Sequence, residues 1–107
     1  MVAVLPEESL LLATRLLQTA ADQAEDDTRT GRATFVREAD VKVLLWLSGS
    51  LLEEGRDLRG ISSAGLPLWA VLQEAETELR RFPIGDYPRG TRDVVVGLCD
   101  LIRDIRP

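Results

Sequence analysis

Along most of this chain, apolar residues recur at steps of three and four, the spacing that lines side chains along one face of an α-helix. Leu10, Ala13, Leu17, Ala20, Ala21 and Ala24 share a face of a first helix predicted from about Pro6 to Ala24. Pro6 suits the first helical turn, and Glu7 and Glu8 complement the positive end of the helix dipole. A second helix is predicted to start at Thr34 as N-cap and to run to about Glu54, with Gly55 as its stop. Pro67 opens a third, to about Phe82, with Leu68, Leu72, Ala75, Leu79 and Phe82 on its inner stripe and Pro83 ending it. Thr91 is the expected N-cap of the last, whose Val94, Leu98, Leu101 and Ile105 face inward. Glu25 to Gly31 is polar and aperiodic and reads as a loop. Arg56 to Gly65 reads as a connection pinned by Leu58 and Ile61, and Pro83 to Gly90 as a structured turn. The expected fold is therefore all-α, a single domain over residues 1–107 built as a bundle of about four main helices.

The second helix departs from the one-face rule. Val36, Ala39, Val43, Leu47 and Leu51 form one apolar stripe, and Val41, Leu45 and Leu52 form another turned well away from it. A helix apolar on two sides must be covered on two sides, so it is expected to be central in the bundle or to lie at a dimer seam. The longer stripe is assigned to the core, with Trp46 beside it, and Val41, Leu45 and Leu52 to contact with another chain. Gly49, between Ser48 and Ser50, offers a small-residue notch in the same helix. On the third helix Trp69 lies about 100° from Leu68, in line with Gln73, Glu76 and Arg80. Trp and Arg dominate binding hot spots, so Trp69, Gln73 and Arg80 join the expected contact set.

Composition narrows the function. In 107 residues with a formal net charge of −5, Lys42 is the only lysine and histidine and asparagine are absent. A GC-rich codon bias accounts for that pattern. Without histidine there is no Ser-His-Asp or Cys-His nucleophile and no His-based metal site; the single Cys99 forbids a Cys-rich zinc site and an internal disulfide. No phosphate-cradling glycine loop occurs. Glu25-Asp26-Asp27 does not match a calcium loop and reads as a solvated loop. No catalytic residue, metal or cofactor is assigned. The start of the chain, Met1 to Leu5, lacks an export signal, and the longest apolar run, Val43 to Leu47, is far short of the ~20 residues that span a bilayer. Together with the lone cysteine this gives an expectation of a cytoplasmic protein.

The leading expectation is a non-enzymatic protein-interaction or scaffold module, a homodimer in its simplest form. A helix-turn-helix regulator is the first alternative, with Ser62-Ser63-Ala64-Gly65 as its turn, Leu68–Leu79 as its reading helix and Arg56, Arg59, Arg80 and Arg81 on phosphates. Net acidity and three glutamates in the reading helix make nucleic acid a poor partner. A small carboxylate-dependent enzyme is the second alternative, and requires two acids with perturbed ionisation in one pocket.

Overall fold

The computed structural model describes residues 5–32, 34–61 and 65–107, so the expectations placed on Met1 to Val4 and on Ser62 to Ala64 lie outside the described residues. Four α-helices form a four-helix bundle, with no strand among the described residues. They are α1 (Pro6–Arg29), α2 (Phe35–Ser50), α3 (Leu68–Leu79) and α4 (Thr91–Ile105), with a 3-10 turn at Ile84–Asp86.

Four boundaries differ from those read in the sequence. The Glu25–Arg29 stretch is not a loop but the last turn of α1. Thr28 Oγ1 donates to the Ala24 carbonyl at 2.9 Å, Arg29 pairs with Asp26, and Arg29 offsets the negative helix end. Local pairing thus carries a helix where no apolar periodicity marks one. α2 stops at Ser50, short of the expected Glu54. Its start is as expected: Thr34 Oγ1 accepts a hydrogen bond from the Arg37 amide at 3.2 Å. α3 ends at Leu79 rather than Phe82, and Thr91 is the first residue of α4, its hydroxyl donating to the Pro88 carbonyl at 2.8 Å.

α1 packs chiefly against α2 and α3, and α4 against the same two, so the order around the bundle is α1, α2, α4, α3. Consecutive helices α2 and α3 are therefore diagonal neighbours, and the chain between them must cross the bundle surface. It crosses over α1. Arg15 Nε donates to the Arg59 carbonyl at 2.9 Å, Thr19 Oγ1 accepts from the Ile61 amide at 2.7 Å and donates to its carbonyl at 2.6 Å, and Gln23 Nε2 donates to the Leu66 carbonyl at 3.2 Å. These three side chains stand one turn apart on α1, so the connection runs along the helix as a strap. Gly60 is required there, because a Cβ would sit 2.8 Å from Thr19 Oγ1. Leu58 lies against Gly49, which fills the notch read in α2 with the chain's own side chain.

With a strap outside and two helices inside, α1 is the central element: only Glu7, Asp22, Glu25 and Arg29 of its residues are exposed. α2 is not covered in this way, so the expectation that it would be the central helix is corrected: α1 holds that place. The core joins Leu10, Leu17, Val41, Leu72, Leu79, Val94 and Leu98, all fully or almost fully buried. Inside it Thr14 and Ser48 share a short hydrogen bond, and Thr14 also donates to the Leu10 carbonyl at 2.8 Å. The alanines of α1 let its neighbours approach closely. A close approach also occurs at Gly97 of α4, where a Cβ would collide with the Leu44 side chain of α2.

Candidate functional site

Among the described residues, most of the exposed large apolar side chains lie on α2, on or beside the stripe that the sequence reading placed in the core. Phe35 is 78% exposed, Val36 71%, Trp46 70% and Val43 54%, with Ala39 exposed between them. The helix buries Val41, Leu44 and Ser48 on the opposite side, and Leu45 and Leu52 are half-buried against the core. The first half of the longer stripe thus faces out, while its Leu47 and Leu51 are half-buried against the core like Leu45 and Leu52. Val41, expected to meet a partner, is fully buried inside its own chain. Trp46, expected in the core, faces solvent. The two-sided pattern is physically present, and the sequence does not reveal which side turns inward.

Both flanks of the exposed ridge are acidic. On the α1 side an open groove is lined by Asp22, Glu25, Asp26, Arg29, Phe35 and Glu38, with Arg29 paired to Asp26 and Lys42 held between Glu38 at 3.5 Å and Glu25 at 3.9 Å, which leaves carboxylates in excess. On the α4 side a second groove is lined by Asp40, Val43, Gly97, Asp100 and Asp104. Arg103 answers Asp100 at 2.7 Å, whereas Asp40 and Asp104 have no ion pair among the described residues. The acidic side of α4 follows from its periodicity: Asp93, Asp100 and Asp104 share the edge that Gly97 presses toward α2.

The other edge of α4 has the opposite sign. Between α3, the 3-10 turn and α4 lies an open cavity of about 440 Å³, lined by Leu79, Phe82, Ile84, Val95 and Val96 and edged by Arg80 and Arg92. Ile84 and Val96 are each about half exposed. Arg80 is positioned by Glu76 at 2.5 Å and lies 3.6 Å from Cys99 Sγ, while Arg92 has no ion pair among the described residues. Phe82 meets Tyr87 edge-on, with ring centroids 6.3 Å apart, which fixes the floor of this groove.

Of the contact residues expected on α3, only Arg80 borders this groove. Trp69 is half-buried and Gln73 is exposed near Leu16 and Leu66 on another side of the helix. Ile84 and Val96 went unnoticed in the sequence, although Val96 breaks the polar side of α4 at a position that periodicity marks as outward.

The arginines assigned to the helix-turn-helix alternative are each paired within the chain: Arg56 with Glu7, Arg59 with Asp57, Arg80 with Glu76 and Arg81 with Glu78. The Arg59 guanidinium holds the Asp57 carboxyl well below its ordinary range. The segment from Asp57 to Ile61, which that motif needs as its first helix, has no helical structure. Among the described residues no group of three or more Cys, Asp or Glu is arranged to hold a metal ion, and no helix is long and apolar enough to cross a membrane. No protein-family model, curated protein or solved structure matches the chain.

Proposed function

We propose that this chain is a non-enzymatic protein-interaction module that docks through the bare face of α2 and associates with copies of itself. One observation carries the reading: Phe35, Val36, Val43 and Trp46 project from a single side of one helix, opposite the side it buries in its own core. Scattered exposed apolar residues are ordinary, but a contiguous row of this length on a rigid helix is the pattern of a contact surface. An aromatic at such a position supplies the buried anchor on which binding energy concentrates.

The test uses Trp46 as its own reporter. In a Trp69→Phe background, dilution from high to low micromolar concentration should shift Trp46 emission to longer wavelength as the indole passes from a contact to water. Light scattering over the same range should show the mass falling. Trp46→Asp should remain at the mass of one chain throughout, with helical circular dichroism unchanged. A wild-type chain that scatters as a monomer across the whole range, with Trp46 emission constant, refutes self-association.

A further inference from the structure

The partner surface for the α2 ridge is present on the same molecule. A ridge flanked by carboxylates on both sides is a poor match for itself. A two-fold axis sets a patch against its own copy. Antiparallel pairing of α2 then brings Asp40, Asp100 and Asp104 against the same three groups, and parallel pairing brings them against the Glu25 and Glu38 edge. Either arrangement stacks like charge around an apolar seam, which suppresses association. Lys42 and Arg29 do not relieve this, Lys42 being already held between two glutamates and Arg29 paired with Asp26.

The groove between α3 and α4 offers the complementary features. Its volume of about 440 Å³ can hold an indole, and its edge carries the guanidinium of Arg92, with that of Arg80 beside it and already paired with Glu76. Arg92 is without an ion pair among the described residues, as are Asp40 and Asp104 on the ridge side. Resting on the reading that the α2 face is a self-contact, we infer that the acid-edged ridge of one copy, led by Trp46, seats in the arginine-edged groove of the next, so that the chain assembles head to tail. Such a contact is heterologous: an open series leaves a ridge free at one end and a groove free at the other, and it closes into a ring or extends.

A mixing experiment separates this from the symmetric dimer. Trp46→Asp removes the ridge and leaves the groove; Val96→Glu spoils the groove and leaves the ridge. Both residues are exposed, so both variants should fold. Head-to-tail assembly predicts that each variant alone is a monomer, and that an equimolar mixture forms a one-to-one dimer that grows no further, because each partner supplies the half the other lacks. Val96→Glu associating by itself as the wild type does would overturn the groove while leaving self-association through α2 intact. A mixture that stays monomeric, with wild type associating, also overturns it. A monomeric wild type removes the underlying reading as well.

Discussion

Thr14 and Ser48 are the most informative single residues in the core, because their hydrogen bonds are unequal. Thr14 has one hydroxyl proton and directs it at the Leu10 carbonyl, so Ser48 must be the donor in the Thr14–Ser48 bond. Thr14→Val leaves Ser48 buried with no acceptor and should cost about 1–3 kcal/mol. Ser48→Ala leaves Thr14 its own bond and should cost less, a ranking that urea denaturation of both variants checks. Tyr87 gives the molecule an alkaline limit. Burial pushes its phenol above the ordinary value, and its hydroxyl donates to the Glu78 carbonyl at 3.3 Å. In the unfolded chain the phenol ionises near pH 10, while the folded chain still holds the proton. The folded state then binds more protons, so stability falls as pH rises beyond about 10. Spectroscopic titration should place the phenolate transition above that of a free tyrosine, and a midpoint at or below the free value would contradict the burial.

At the scale of the helix, the two sides of α2 should respond oppositely to substitution. Val41→Ala removes fully buried methyl groups and should cost about 2 kcal/mol, whereas Val43→Gln on the bare side should leave monomer stability within about 0.5 kcal/mol. Thermal or chemical unfolding at low concentration measures both. Equal losses would mean that the exposed stripe is covered within the protomer. At the contact of α2 with α4, Gly97→Val should cost about 1–3 kcal/mol, since the added side chain displaces Leu44. These elements show what periodicity can and cannot convey. All four helices and the Thr34 cap were legible because a stripe of Leu, Val and Ala has little meaning except as a helix face. The inner and outer sides of α2 were not, because both stripes are apolar and the buried side contains Ser48, a polar residue whose partner, Thr14, lies on another helix. The strap could be anticipated only in its anchors, Leu58 and Ile61; its path over α1 depends on Arg15, Thr19 and Gln23, polar residues whose partners lie more than forty positions away.

For the molecule as a whole, the charge pattern fixes the sign of a salt effect. A head-to-tail contact joins carboxylates to guanidinium groups, so raising ionic strength should weaken association; screening shortens the reach of such attraction to ~3 Å at 1 M salt. A contact between two acidic ridges should instead tighten. Sedimentation at two salt concentrations distinguishes them, and the direction was not readable from the net charge of −5, which hides the sorting of acid and base onto opposite edges of α4. The strap has a consequence of its own for how the protein breathes. α1 is enclosed by two helices and a tethered segment, so its amide protons can reach deuterated solvent only when the bundle opens as a unit. Those of α2, with one flank bare, are free to exchange through smaller openings, so the helix proposed to dock can loosen without dismantling its neighbours.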